Sequence, residues 1–350
     1  MALPTAFVRD QWYVVALTDE VTDTPLARMV CGEHVVLYRT SDDAIVALSD
    51  RCPHRGYPLS LGEVVGDELQ CGYHGLKFDS CGTCTWAPNQ TKIPSRANIT
   101  SYPLVVTGPW VWMWIGDPAA PGMAKLPALP WLSDPEWGVV SGMEPLAARY
   151  GLLVDNLLDL SHESYLHAGS IGSPEVALTP IETTVDDDAN VVYCGRHMES
   201  VECPPFYESA TGLTTPIDRW QDIEYHPVCC YILHSRVAAA GVAPLPDGTD
   251  PDAAHVKVLY GITPVDEHNT MDFWALARDF SVGDAEVDGF LAESNRNVIL
   301  EDVVALNLLE QRLSSESESP EISLKIDTGA LAARRMINQM ATETPAHATP

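Results

Sequence analysis

The sequence predicts an α+β protein of two domains, an all-β domain followed by an α+β domain built on an antiparallel sheet. Residues 1–118 alternate short apolar runs with turn residues, which is typical of an all-β domain. Residues 117–130 are rich in proline and form the expected linker. Beyond them, strand-like runs are mixed with two helical patterns. We therefore place the two domains at 1–118 and 119–350.

Three apolar runs predict strands in the first domain, at 35–38, 45–48 and 111–115. Between residues 59 and 70, Gly62 and Gly66 interrupt short apolar pieces, which favours a β-hairpin. This hairpin separates two clusters of cysteine and histidine. The first domain is therefore expected to present these clusters on two neighbouring loops.

The two clusters are Cys52-x-His54 and, sixteen residues further on, Cys71-x-x-His74. Each combines one thiolate with one imidazole, and Rieske [2Fe–2S] centres need this set because two histidines replace two cysteines on one iron. Zinc also binds two cysteines and two histidines, but zinc fingers usually pair like with like, so zinc is the alternative. We predict one Rieske [2Fe–2S] cluster, with thiolates on one iron and imidazoles on the other: Cys52, Cys71, His54 and His74.

A second group of metal-binding residues lies in the helical pattern at 150–168, where Asp155, Asn156, Asp159, His162 and His167 stand among apolar residues. Burying such side chains without partners is costly. Residues 159 and 162 share one face of a helix. Residues 162 and 167 would point about 140° apart on an ideal helix, so joint metal binding requires a π-bulge or a helix end. Two ordinary histidines on a regular helix remain the alternative.

Non-haem Fe(II) oxygenases bind iron through two histidines and one carboxylate and leave positions open for O2. The best source for a carboxylate is the second helical pattern, at 285–313, where Glu301-Asp302 interrupts an apolar stripe. For Glu301 we expect a place on the solvated acidic face of that helix.

Taken together, these motifs resemble the oxygenase components of the Rieske non-haem iron oxygenases, from Trp12-Tyr13 to about Met336. The stretches at 155–163, 216–220 and 326–329 are most similar to the aromatic O-demethylases, above all those acting on vanillate. Respiratory-type Rieske proteins carry an extra cysteine in each loop, and this chain has none there, which favours the oxygenase subclass.

The resemblance implies a helix-grip-like catalytic domain that binds one mononuclear Fe(II) through His162, His167 and Asp302. It implies that Asp159 is a carboxylate bridging to a Rieske histidine of a neighbouring subunit, and that Asn156 lies close to the iron. Electrons then cross between subunits of a head-to-tail homotrimer, whose heterologous interfaces close into a ring.

The activity implied is conversion of vanillate, with O2, to protocatechuate and formaldehyde. The chain has no G-x-G-x-x-G motif, and the resemblance implies a separate NADH-dependent flavin/iron–sulfur reductase as partner. The alternatives are demethylation or ring hydroxylation of another methoxybenzoate or small aromatic acid, a Rieske electron-transfer ferredoxin, and a zinc-binding interaction protein.

Strands of the second domain are expected to line the substrate pocket. A cation or a phenol there would hold the carboxylate or the 4-hydroxyl group of an aromatic acid. Each candidate also has a purely structural alternative. The candidates are Leu233, His234, Arg236, Tyr260 and Trp274.

The composition excludes several classes of partner. The net charge is −29, from 20 basic and 49 acidic residues, so nucleic acid is not an expected partner because its phosphates would be repelled. No apolar run is long enough to cross a membrane, and the N-terminus does not resemble a secretory signal, so a cytoplasmic location is expected. Nine cysteines, an odd number, argue against a disulfide framework, and Cys81-x-x-Cys84 has no second pair to complete a zinc site.

Overall fold

The computed structural model describes residues 3–4, 6–117, 121, 126–315 and 321–343. The chain divides into two compact units, residues 7–126 with 263–266 and residues 1–6 with 127–262 and 267–350. Residues 118–120 and 122–125 of the expected linker lie outside the described residues, and so does the expected boundary between 118 and 119.

The N-terminal unit is an all-β structure of three antiparallel sheets, as predicted. Their strand orders are β1-β10-β9, β2-β3-β4 and β5-β6-β7-β8. The strands are β1 Gln11–Leu17, β2 Leu26–Val30, β3 Glu33–Arg39, β4 Ile45–Ser49, β5 Glu63–Val65, β6 Glu68–Gln70, β7 Lys77–Phe78, β8 Cys84–Trp86, β9 Leu104–Thr107 and β10 Trp110–Ile115.

The composition of two strands explains where the core of this unit lies. All six residues of β10 are buried, and its three tryptophans occupy alternate positions and so share one face of the strand. Trp12 of β1 pairs with Trp114 of β10, and their ring centroids lie 5.4 Å apart. The predicted hairpin between the cysteine and histidine clusters is formed by β5 and β6.

The C-terminal unit is built on one seven-stranded antiparallel sheet with the order β11-β17-β16-β15-β14-β13-β12. The strands are β11 Gly138–Leu146, β12 Glu182–Asp186, β13 Val191–Val201, β14 Ile217–His226, β15 Cys230–Ala239, β16 Ala253–Asp266 and β17 Asn269–Arg278. The helices are α1 Tyr150–Leu158, α2 Pro174–Leu178, α3 Pro205–Thr211, α4 Ala285–Ser315 and α5 Thr328–Glu343.

Alternating burial along β14 shows that one face of the sheet is covered, since odd-numbered residues from 217 to 225 are buried and even-numbered ones are half-buried. The long helix α4 packs against β11, α1 and α3. It begins after Asp284, whose carboxylate accepts the backbone N–H groups of Glu286 and Val287. The second predicted helical pattern is therefore a single long helix.

The helix predicted across 150–168 is wrong beyond Leu158. Asp159 leaves the helical conformation, with φ −130° and ψ 97°, and a 3₁₀ turn follows at Leu160–Ser164. The Asp159 carboxylate accepts the N–H of Ser161 and caps that turn. The chain direction therefore changes between residues 159 and 162, and the helical-face relation predicted for that pair does not apply.

None of the helices within the described ranges is both long enough and apolar enough to cross a membrane.

Candidate metal centres and substrate cavity

Two loops of the N-terminal unit carry the four predicted cluster ligands, and the backbone folds both loops in the same way. The N–H of Cys52 donates to the carbonyl of Tyr57 at 2.9 Å, and the N–H of Gly56 donates to the carbonyl of Cys52 at 2.8 Å. The second loop repeats both bonds at Cys71 and Gly75, at 2.8 and 2.9 Å. Each glycine has a positive φ, +73° and +75°, which other residues rarely adopt.

The burial and spacing of these four side chains fit what a Rieske cluster needs. Cys52 and Cys71 are each 2% exposed, whereas His54 and His74 are exposed and their ring centroids lie 4.6 Å apart. Burial, together with the neighbouring Cys71 thiol, raises the pKa of Cys52 to about 11. A thiolate there needs a compensating positive charge, which an iron centre supplies. Two buried thiols beside two imidazoles therefore fit a [2Fe–2S] cluster.

The other seven cysteines lie within the described residues, and no disulfide joins any of them. In the C-x-x-C motif, Cys84 is buried with its Sγ 3.5 Å from the carbonyl oxygen of Trp86, whereas Cys81 is exposed.

A second possible metal site in the C-terminal unit combines His162, His167 and Asp302. One ligand atom of each lies within 4.8 Å of the others. Nε2 of His167 is 3.3 Å from Oδ1 of Asp302, and Nε2 of His162 is 3.6 Å from the same oxygen. The helix end after α1 brings the two histidines together, with ring centroids 5.1 Å apart. Two imidazoles and one carboxylate fit the donor set of a non-haem Fe(II) site.

Glu301 corrects one expectation, because its carboxylate does not simply face solvent. Its side chain is 47% exposed, but Oε2 lies 2.6 Å from Nδ1 of His167. Burial alone would lower the pKa of His167, but the carboxylates of Asp302 and Glu301 outweigh burial and raise it. The prediction of a solvated helix face was incomplete, because the long side chain of Glu301 reaches from the helix to His167.

Two further predicted residues surround this triad. Nδ2 of Asn156 donates to Oδ1 of Asp302 at 3.0 Å, so Asn156 lies beside the site. Nδ1 of His162 contacts the backbone carbonyl of Asp159 at 2.7 Å, and the Asp159 carboxylate instead accepts from Ser161. The orientation of His162 therefore depends on the backbone of residue 159 and not on its carboxylate.

A largely apolar cavity opens beside the triad and lies between the sheet, α4 and the 3₁₀ turn. It encloses about 70 Å³. Engineered cavities of roughly 150 Å³ take up benzene, so a one-ring substrate already requires small side-chain movements here. The cavity therefore favours single-ring molecules over larger ones.

Three rungs of adjoining strands line the sheet side of the cavity, because side chains alternate along each strand. β15 contributes residues 231, 233 and 235, which pair in register with residues 260, 258 and 256 of β16. The predicted pocket residues Leu233 and Tyr260 belong to these rungs and line the cavity. Their contact with substrate stays a prediction.

The other three predicted pocket residues, His234, Arg236 and Trp274, do not line this cavity. Strand alternation places His234 and Arg236 on the opposite face of the sheet, where His234 packs on Trp131. Arg236 pairs with Asp250, and its guanidinium lies 4.5 Å from the ring of Trp220.

Trp274 of β17 lies against Gly142 of the neighbouring strand β11. A β-carbon at residue 142 would stand 2.4 Å from its ring. These contacts explain Trp274 as a residue that packs between strands. The prediction that Trp274, His234 and Arg236 line the pocket is therefore wrong for this cavity.

A buried ion pair forms part of the cavity wall. Glu163 is 3% exposed and Arg219 is 1% exposed, and Nη2 of Arg219 donates to Oε2 of Glu163 at 2.8 Å. The other guanidinium nitrogen Nη1 donates to the carbonyl of Ile171 at 2.8 Å, and Gln221 donates to the second oxygen of Glu163. The charge of Arg219 is therefore compensated inside the protein.

Sequence reasoning missed several residues at this cavity, among them Glu163, Arg219, Ser235 and Asn295. Glu163 follows His162 directly, and that adjacency was the one available signal. Ser235 and Asn295 carry no pattern that separates them from ordinary strand and helix residues.

Comparison with known proteins identifies two domain families in this chain. Residues 11–103 match the Rieske [2Fe–2S] domain family, and residues 146–343 match the family of the vanillate O-demethylase oxygenase C-terminal domain. The chain is 34% identical over 339 residues to a vanillate O-demethylase oxygenase subunit of Pseudomonas sp. (strain HR199 / DSM 7063), which covers 95% of both chains. It is 33% identical over 315 residues to the oxygenase component of dicamba O-demethylase of Stenotrophomonas maltophilia, covering 87% of this chain and 89% of that one.

Solved structures agree with the sequence relatives. A crystal structure of dicamba monooxygenase bound to 3,6-dichlorosalicylic acid superposes with a TM-score of 0.89 at 30% identity, over 97% of this chain and 98% of the other. Another structure of that enzyme, with a TM-score of 0.80 and the same identity and coverage, contains non-heme iron and dicamba. Because the matches extend far beyond the Rieske domain, they set aside the alternatives of a Rieske ferredoxin and a zinc-binding protein. The chain belongs to the Rieske non-haem iron oxygenases, in the family defined by the vanillate O-demethylase oxygenase C-terminal domain.

Proposed function

We propose that this protein is the oxygenase component of an aromatic O-demethylase that acts on one-ring methyl ethers. The observation that carries the proposal is the triad of His162, His167 and Asp302 at one end of a small apolar cavity. Such a cavity excludes water and holds a ring with its methoxy group towards the triad. The relatives make vanillate the first substrate to test.

We assign one Rieske [2Fe–2S] cluster to the domain at 1–118, on Cys52, His54, Cys71 and His74, and one mononuclear Fe(II) to the domain at 119–350. When bound, the cluster supplies electrons one at a time and the mononuclear iron activates O2. The overall reaction takes up O2, two electrons and two protons. It turns the O-methyl group into O–CH2OH and releases water, and that hemiacetal collapses to a phenol and formaldehyde.

Electrons come from a separate reductase, since relatives of this chain are oxygenase components or subunits of larger systems. We propose an NADH-dependent flavin/iron–sulfur reductase for this role. A homotrimer would bring the Rieske histidines of one subunit to Asp159 of the next. Asp159 lines an open cleft of about 590 Å³ on the C-terminal unit, and the exposed apolar side chains of Leu309 and Ile322 line the same cleft, which supports a docking role.

A single turnover tests the demethylase proposal without any reductase. The iron-replete protein is reduced chemically, mixed anaerobically with vanillate or another one-ring methoxy-aromatic, and exposed to O2. We expect equal and near-stoichiometric amounts of the phenol and formaldehyde. A hydroxylated ring that keeps its methyl group would point to ring hydroxylation instead. No product from any compound of the panel, with both metal centres filled, would overturn the proposal.

A further inference from the structure

The polar groups of the cavity wall indicate which one-ring substrates it accepts. Arg219 is the only lysine or arginine that lines the cavity within the described part of the chain, and Glu163 compensates its charge. The bidentate hydrogen-bonding capacity of a guanidinium is what usually holds a substrate carboxylate. Here two of its nitrogens already donate to protein oxygens, and its Nε is buried without a hydrogen-bond partner.

Two uncharged side chains of the wall are available instead. The hydroxyl of Ser235 and the amide nitrogen of Asn295 are buried, and neither has a hydrogen-bond partner. Ser235 is 2% exposed and Asn295 is 7% exposed, and both line the cavity. A buried polar group without a partner is unfavourable, and a ligand atom in hydrogen-bonding distance would remove that cost.

The positions of both residues place them away from the metal triad. Asn295 lies seven residues before Asp302 on α4, which is two turns on the same face and about 10 Å along the axis. Ser235 and Val256 form the third rung of the sheet wall. Tyr231 and Tyr260 form the rung near the triad, where burial and carboxylates that include Asp302 raise their pKa values, and this rung is two rungs away from Ser235. Val256 also packs with Leu276 and Leu291 in an apolar cluster.

We infer that the cavity selects uncharged methoxy-aromatic rings, and that Ser235 and Asn295 hydrogen-bond an oxygen-bearing ring substituent that points away from the methoxy group. This inference rests on the proposed function and narrows it, since an aromatic acid was the substrate expected from the sequence. A carboxylate at that position would find the same two neutral donors but no uncompensated positive charge, so burying it costs more than burying a neutral hydroxyl.

The test compares two ligands of nearly the same shape, vanillate and vanillyl alcohol, which differ in the charge of one substituent. Their dissociation constants are measured by anaerobic titration calorimetry on the iron-replete protein. We expect vanillyl alcohol to bind at least about tenfold more tightly. Equal binding, tighter binding of vanillate, or binding of neither ligand would overturn the inference.

Variants of the two polar residues locate the contact. Ser235→Ala and Asn295→Leu should each weaken vanillyl alcohol binding by about 2- to 12-fold, which is the range of one hydrogen bond. The matched control is His234→Gln, on the same strand but on the opposite face of the sheet, and it should leave both constants unchanged. Unchanged binding in both cavity variants would contradict the inference.

Glu163→Gln should have the opposite effect, because it should strengthen the binding of vanillate. Removal of that negative charge leaves the charge of Arg219 uncompensated. Vanillate should therefore bind this variant at least about tenfold more tightly than it binds the unaltered protein, whereas the affinity for vanillyl alcohol should change little. Because breaking a buried ion pair strongly destabilises a protein, the fold of this variant is checked by circular dichroism. If the variant does not fold, the two ligands and the two polar-residue variants still decide the question.

Turnover separates this inference from the proposed function. Formaldehyde from vanillate, together with tighter binding of vanillate, would retain the demethylase and reject the uncharged substrate. Tight binding of vanillyl alcohol without formaldehyde from any methoxy-aromatic would retain the recognition chemistry and reject demethylation.

Discussion

Glu301 holds His167 in place, since its Oε2 lies 2.6 Å from Nδ1 of the histidine whose Nε2 faces the adjacent helix residue Asp302 at 3.3 Å. A carboxylate on the remote nitrogen of a metal-binding histidine fixes its tautomer and orientation. Glu301→Ala should therefore weaken Fe(II) binding at the triad by about 10- to 100-fold, measured by competition with a chelator.

The matched variant for this prediction is Glu301→Gln, which keeps an oxygen acceptor and should lose less affinity than the alanine variant. The Rieske absorption spectrum should be the same in both variants. Equal Fe(II) affinity in Glu301→Ala and the unaltered protein would show that the contact does not position the histidine.

Replacement of Asp159 should separate metal binding from electron delivery. Because His162 contacts the backbone carbonyl of residue 159, Asp159→Asn should leave both metal centres filled. Product formation in the reductase-coupled assay should nevertheless fall by about 100-fold. Iron analysis and the cluster spectrum serve as controls, and normal turnover by the filled variant would reject a bridging role.

The two metal sites should be lost independently of each other. Cys71→Ser removes one of the two buried thiols, so the visible absorption of the cluster should disappear and iron content should fall from about three to about one per chain. His162→Ala should instead keep the cluster spectrum and about two irons per chain. Elemental analysis of both purified variants measures the change, and loss of all iron in either one would contradict separate sites.

Glu310 should make stability depend on acidity. Burial disfavours its ionised form, but hydrogen bonds from Arg149 and His268 outweigh burial and lower its pKa to about 2. Since the unfolded-state pKa is about 4.3, this carboxylate contributes stability above that pH and loses the contribution as the pH falls towards 2. Glu310→Gln should lower the free energy of unfolding at pH 7 by about 2–3 kcal/mol.

Urea unfolding at several pH values measures this effect. The difference between the unaltered protein and Glu310→Gln should be constant from pH 7 to about pH 5 and then shrink as the carboxylate is protonated. Asp23→Asn is a suitable control, because Asp23 is an exposed carboxylate. A difference that grows on acidification would contradict the assignment.

Much of the fold could be predicted because local patterns and global structure agree. The apolar runs at 35–38 and 111–115 are strands, and the acidic interruption of the pattern at 285–313 lies on one continuous helix. The cysteine and histidine clusters could be recognised because ligand chemistry limits both residue type and spacing. In these strands, in this helix and in the two clusters, a few neighbouring residues determine the local structure.

The rest depended on a local side-chain cap and on contacts between distant parts of the chain. Asp159 ends α1 through a local cap, and apolar periodicity cannot detect that cap. His234 and Arg236 looked suitable for binding an acid, but the register of β15 turns them away from the cavity. The compensation of Arg219 by Glu163 joins residues 56 positions apart, which no short motif reveals.

The seven-residue interval between Asn295 and Asp302 means that α4 fixes the distance between these two side chains along the cavity. Each residue of a helix advances about 1.5 Å and each turn about 5.4 Å, so the distance along the helix from Asp302 to the amide of Asn295 cannot be adjusted continuously. On this helix a polar group facing the cavity can move only by whole turns, to a position such as 291, where the buried Leu291 now stands. The length of substrate that the cavity accepts is therefore expected to change in discrete steps of one helical turn.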